Sequence, residues 1–175
     1  MNFTGALNLL YRCFSAAALL ILPCLAATAQ ERVAVFPFRN MDGQIEYNIW
    51  CTRLSDSLSV ALQQEDPDRK AFSVVPSDSV ADVLAEMNLD PGNPQYETDK
   101  WKAAERLGIP RVITGNFNVQ SGGKMSLNVY IYDVETKLPD VNNQAKNLYR
   151  EMSKALETIP KMVKKILPAL KPQQE

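Results

Sequence analysis

The sequence predicts a small α/β domain built on a mixed sheet. Three observations carry this reading. Arg32–Phe38 (RVAVFPF) is a nearly continuous apolar run rich in β-formers, and the segments after it carry apolar residues at helical spacing. Further on, Val112–Val134 alternates apolar and polar residues around Gly122-Gly123. A strand apolar at successive positions is buried on both faces, as in parallel sheets joined by helices. Alternation around a glycine-rich turn marks an antiparallel hairpin with one core face. The predicted order is β-α-β-α-α-β-β-α: parallel strands plus an antiparallel hairpin, with helices packed on the sheet in two or three layers.

In chain order, residues 1–29 read as a cleaved secretory signal peptide. Arg12 is the sole charge before Glu31, Phe14–Leu22 forms a short apolar core, and Pro23 breaks it. Ala27-Thr28-Ala29 then supplies the small-x-small cleavage pattern, with the cut between Ala29 and Gln30. A retained anchor is the weaker reading, because Cys13–Ala29 falls short of the roughly 20 apolar residues that span a bilayer. Acylation at Cys24 is weaker too, since Pro23 precedes it where lipoprotein signals carry a small residue. Cleavage takes Arg12 from the 19 basic residues set against 20 acidic ones, which moves the net charge from −1 to −2. It also leaves Cys51 as the one cysteine, a small buried hydrophobe on a helix.

The domain then spans residues 30–171. Pro37, with no amide donor, belongs at the end of the first strand or at an unpaired position. Tyr47, Trp50, Cys51, Leu54, Leu58, Ala61 and Leu62 recur at helical spacing, so Ile45–Gln64 is an amphipathic helix, stopped by Glu65–Asp68. Ala71–Val75 is a second buried strand, and Ser77 caps a helix carrying Val80, Val83, Leu84 and Met87. Asn88–Tyr96 is a loop. Thr98 caps a third helix that carries Trp101, Ala104 and Leu107 inward and ends at Gly108. The hairpin follows. After it, Leu148, Met152, Ala155 and Leu156, then Ile159, Val163, Ile166 and Leu167, predict two helices broken near Thr158, which caps the second. Residues 172–175 read as a frayed tail.

Composition excludes several chemistries. With no His, there is no Ser-His-Asp or Cys-His set and no His-ligated zinc. A net charge of −1 argues against nucleic acid as a partner. Asn40-x-Asp42-Gly43 matches part of a calcium loop, but Phe38 and Ile49 stand at its two ends where ligands belong, and a β-turn explains it. Ser121-x-x-Lys124 matches a β-lactamase motif by letter only, since it sits on a hairpin tip rather than a helix. Asp66 and Asp68 flank Pro67, and Glu86, Asp90, Glu97 and Asp99 border the long loop, but their spacing fixes no pair of carboxylates across a cleft. No cofactor, metal or catalytic residue is expected, and the chain reads as a binder rather than an enzyme.

Several strings resemble TolB amino-terminal-like domains. Val33–Phe38 followed by Asn40 is similar to their V-A-V-x-P-F-x-N opening, and Phe72–Pro76 to their second strand. Ala104–Gly115 resembles their A-x-x-L-G-x-x-Y-V-x-x-G segment, and Leu127–Thr136 the strand ending in D-x-E-T-G. Lys137 replaces the final Gly, which predicts a different turn there, and Arg111 stands where an aromatic is common. The relatives of this fold family include CsgG-, LpoB- and FlgO-type envelope proteins. The resemblance implies an exported, periplasmic, non-enzymatic protein-interaction or assembly module with an envelope protein as partner. It leaves open a subunit of a self-assembling complex at the outer membrane, a peripheral membrane contact, and a small-ligand binder.

The expected partner surface lies at the end of the sheet where α/β folds place ligands. It comprises Arg39, Asn40 and Gln44 in the first loop, Asp90, Asn93 and Tyr96 in the long loop, and Tyr130 and Tyr132 on the second hairpin strand. The two tyrosines either pack under the C-terminal helix or stand exposed as aromatic anchors. Lys161, Lys164, Lys165 and Lys171 read as the solvated face of the last helix, with an anionic surface or acidic partner as the alternative.

Overall fold

The computed structural model describes residues 30–171. The expected signal peptide, Cys24, the expected cleavage position at Ala29 and the tail 172–175 lie outside the described residues. Six strands form one mixed sheet. β1 (Glu31–Val35) lies between β3 (Phe72–Val74) and β4 (Arg111–Gln120), parallel to both. β5 (Lys124–Asp133) and then β6 (Ala145–Glu151) continue antiparallel to an outer edge. β2 (Arg39–Asn40) resumes the lane of β1 along β4.

Pro37 explains that interruption. Val35 pairs with Ile113 but Arg39 with Asn116, so the β1–β2 lane carries one residue more than β4. The extra residue falls where proline can supply no ladder hydrogen bond. The Pro37 carbonyl instead accepts the Thr114 hydroxyl at 3.1 Å. Gly115 lies beside this break: a Cβ there would sit 2.2 Å from the Asn128 carbonyl and 2.3 Å from the Phe38 ring, so no larger residue fits.

Both faces of β1 are buried, as its sequence predicts. Val33 and Val35 enter one core with α1 (Ile49–Glu65), which contributes Cys51, Leu54, Leu58 and Leu62, and α4 (Ile159–Ile166). Ala34 and Phe36 enter a second core with Val80 and Leu84 of α2 (Ser77–Glu86) and Tyr96, Ala103 and Ala104 of α3 (Tyr96–Leu107). The architecture is three layers, helix pairs on either side of the sheet. The two cores are unequal: the first takes Met125, Leu127, Val129 and Ile131 from β5, while no residue of β5 or β6 joins the second. One face of the β5–β6 region therefore lacks a helix-packed core, and this is what exposes the site described below.

Four local expectations are corrected. Leu148–Met152 is not helical: β6 pairs Leu148 with Leu127 and Tyr149 with Ser126, and a 3₁₀ segment, Met152–Thr158, follows. Ladder pairing on β5 outweighs the helical spacing of residues 148–156. Thr98 does not cap α3, which starts at Tyr96; its hydroxyl donates to the Gln95 carbonyl at 2.8 Å. Thr158 and Ser77 likewise make no side-chain cap bond. The helix expected from Ile45 begins as a 3₁₀ turn, Ile45–Tyr47, and becomes α1 at Ile49. Lys137 takes φ +59°, the left-handed conformation glycine adopts freely, so that turn keeps a left-handed residue without the glycine. No helix among the described residues is long and apolar enough to cross a membrane.

Candidate functional site

Asn40 organises the first loop. Its Nδ2 donates to the Gln44 carbonyl at 2.8 Å and to Asn48 Oδ1 at 2.9 Å, while its Oδ1 accepts the Asp42 N–H at 3.0 Å. Asp42 in turn accepts the Val119 N–H at 2.5 Å, and Gly43 takes φ +69°. The asparagine and aspartate that suggest a calcium loop thus serve an Asx turn tied to β4. The second loop is also self-bonded: Asp90 Oδ1 accepts the Gly92 N–H at 2.8 Å, and Asn93 Oδ1 accepts the Gln95 N–H at 3.0 Å. A methyl group at Gly92 would lie 3.7 Å from Asn48 Nδ2, so the two loops are neighbours. Cys51 sits beneath them. Burial, with the Asp90 charge adding, pushes its thiol up, and the side chain packs in the core with Leu54 and Leu58.

From Arg39 a chain of charge and aromatic contacts runs across the sheet. Arg39 Nη1 lies 3.7 Å from Glu97 Oε1, and Lys100 Nζ is 2.7 Å from Glu97 Oε2. The Lys100 ammonium stands 5.0 Å from the centre of the Trp101 ring and 5.5 Å from that of Tyr132. Trp101 meets Tyr132 edge to face at 5.4 Å, and Tyr130 lies 6.1 Å beyond. Lys146, on β6, closes the series 5.5 Å above the Tyr130 ring. Lys100 is only 3% exposed, and burying an ammonium costs free energy unless it is paired and hydrogen-bonded. Glu97 supplies the carboxylate and accepts a hydrogen bond from Lys100 Nζ, and the two rings face the ammonium; each cation–ring contact contributes about 0.5–2 kcal/mol, most where water is excluded. Partial burial also pushes the Tyr132 phenol up, with Tyr130 and Glu97 adding to the shift.

The structure brings most of the expected residues together, corrects Tyr96 and decides between the two alternatives for Tyr130 and Tyr132. Arg39, Asn40, Gln44, Asp90 and Asn93 share one end of the sheet, and Glu97 links Arg39 to the tyrosines through Lys100. Tyr96 is core, not surface: it is 1% exposed, its hydroxyl has no partner among the described residues, and burial pushes its phenol far up. Tyr130 and Tyr132 do not pack under the C-terminal helix. Val129 and Ile131 take that side, and the tyrosines face the opposite way, half-buried against α3.

Sequence reasoning missed Glu97, Lys100 and Lys146. The i,i+3 spacing of Glu97 and Lys100 was a readable signal, whereas Lys146 needed β6 to be known. Met41 in the first loop, Ile45 in the 3₁₀ turn and Ile49 at the start of α1 are exposed, and the basic residues of α4 face solvent. At the other end of the sheet a depression of about 840 Å³ includes Lys70 and Arg111, which pair with Asp68 at 2.9 Å and Glu31 at 2.5 Å.

No protein-family model matches the chain, and no curated protein matches it. Solved structures do. The LpoB C-terminal domain from Salmonella enterica superposes with a TM-score of 0.51 at 14% identity, over 70% of this chain and 83% of that domain. The NMR structure of Escherichia coli LpoB gives 0.51 at 13% identity, over 70% of this chain and 58% of that one. The chain has the LpoB-type fold. TolB from Acinetobacter baumannii aligns more loosely, with a TM-score of 0.42 at 16% identity over 79% of this chain and 28% of TolB. The mixed α/β fold expected from Val33–Phe38 and the hairpin is the fold observed, and it is the one shared with the LpoB domains.

Proposed function

We propose that this chain is an exported, non-enzymatic envelope protein whose domain acts in the periplasm as a protein-interaction module. The observation that carries this reading is the continuous strip from Arg39 through Glu97, Lys100, Trp101, Tyr132 and Tyr130 to Lys146, on a sheet face without a helix-packed core. Tyr, Trp and Arg are the residues that dominate protein interfaces, because each combines a large apolar surface with a polar end. The groups on this face are suited to holding a partner and lack a nucleophile set against a base. The fold shared with LpoB domains supports an envelope setting, and the signal-like residues 1–29 support export.

Quantitative affinity capture of envelope proteins on the purified protein tests the reading. Replacing Tyr130 by Ala together with Arg39→Glu is expected to cut recovery of specific partners by about tenfold or more, as loss of a central aromatic and charge does. Unchanged recovery with an unchanged melting temperature overturns it.

A further inference from the structure

The strip has a shape and a charge, and both constrain its occupant. It crosses the lanes of β2, β4, β5 and β6, since Arg39 lies beside Asn116, Tyr130 beside Thr114, and Lys146 over Tyr130. Three inter-strand steps at about 4.8 Å give a floor of roughly 14 Å. That matches four to five residues of extended chain at about 3.3 Å each. One side of the floor is banked by α3 through Glu97, Lys100 and Trp101. The other side opens onto Asn116 and Asn128, whose amides bond each other at 2.7 Å and keep the floor flat.

The charge is locally reversed. The whole sequence is acidic, net −1, yet the contacts of the strip join three cations, Arg39, Lys100 and Lys146, to one carboxylate, Glu97, with Asp42 and Asp90 bonded within the loops at the Arg39 end. Glu97 is already committed to Lys100 at 2.7 Å, which leaves Arg39 held only at 3.7 Å. Lys146 forms no ion pair among the described residues and is exposed. Two cations with unspent charge therefore stand at opposite ends of an aromatic floor. An incoming carboxylate at either end gains a charge-assisted contact without breaking a good one.

We infer that this face binds an extended acidic segment of a partner protein, with carboxylates at Arg39 and Lys146 and a ring or proline between them on Tyr130 and Tyr132. This rests on the reading of the strip as the docking face. Ring-on-ring contact supplies area, and the two end charges set register and salt sensitivity.

Selection of random displayed peptides against the purified protein tests it. The selected peptides are expected to be net acidic with an internal aromatic or proline. Their affinity is expected to fall about tenfold with Lys146→Gln or Arg39→Gln, and to weaken as salt rises. Both side chains are at the surface, and an unchanged melting temperature certifies the fold of each variant. Neutral or basic peptides that still require Tyr130 overturn the acidic assignment and leave the docking face standing. Peptides indifferent to Tyr130→Ala and Lys146→Gln overturn both. Failure to select any peptide, or binding only to anionic lipid vesicles, also overturns the acidic-segment assignment.

Discussion

Tyr96 shows how a residue can be placed in the right neighbourhood and still have the wrong role. It lies next to the second loop, but its ring is packed with Phe36 and Ala103 in the core, and its buried hydroxyl has no partner among the described residues. A buried unpaired hydroxyl costs about 1–3 kcal/mol of desolvation. Tyr96→Phe is therefore expected to stabilise the domain by about 1 kcal/mol in urea denaturation, whereas a loss of that size would mean the hydroxyl is bonded. Asp66 has the opposite character. Its carboxylate accepts the N–H groups of Lys70, Ala71 and Phe72 at 3.0, 2.6 and 3.1 Å, tying the end of α1 to β3. Those bonds, that of Phe72 first, hold its carboxyl below the ordinary value of about 3.9. Between the folded and unfolded values the unfolded chain binds more protons, so the stabilisation is present above about pH 4 and lost as pH falls through the folded value. Asp66→Asn is expected to lower the melting temperature at neutral pH and to flatten the acid limb of the stability curve. An acid limb with wild-type slope would contradict this.

Among the elements, β6 is the one the sequence hid. Ala145–Glu151 contains no β-branched residue, and Leu148 with Met152, Ala155 and Leu156 repeats at helical spacing, so local pattern favours helix. What makes the segment a strand is distant in sequence. Leu127 pairs with Leu148 and Val129 with Ala145, so β6 carries an extra residue there, and Asn147 takes φ +55°. The Asn147 N–H donates to Asn128 Oδ1 at 2.8 Å, and Asn128 Nδ2 donates to Asn116 Oδ1 at 2.7 Å. This cross-strand ladder joins β4, β5 and β6. Asn128→Ala removes both bonds and is expected to cost about 2 kcal/mol, with β6 amides exchanging faster than those of β1; equal exchange would refute the ladder's role. The hairpin, by contrast, was legible residue by residue. Phe117, Leu127 and Ile131 alternate with Asn116, Asn128 and Tyr130 because one face is core and the other is not. Likewise the two-sided burial of β1 could be read from Val33–Phe36, and the end of α3 from Gly108, whose φ is +62°. Helix starts were less legible: Ser77, Thr98 and Thr158 look like caps, yet none makes a cap bond, and the Thr98 and Thr158 hydroxyls donate to the Gln95 and Ala155 carbonyls.

For the molecule as a whole, asymmetry connects fold to function. Helices α1 and α4 share a core with β5 on one face of the sheet, while α2 and α3 leave the other face of β5–β6 without one. The loop residues and tyrosines picked from sequence converge because that open face and the β1–β2 break meet at Arg39. Lys100 and Glu97 then join what the sequence showed only as separate candidates. The central claim is that this face is where a partner binds, and site-specific photocrosslinking in intact cells tests it most directly. A photoreactive phenylalanine analogue is placed either at Tyr130 or at Val60, an exposed position on α1 across the sheet. The account predicts discrete protein adducts from position 130 and none from position 60. Adducts from position 60 with none from position 130 would contradict it.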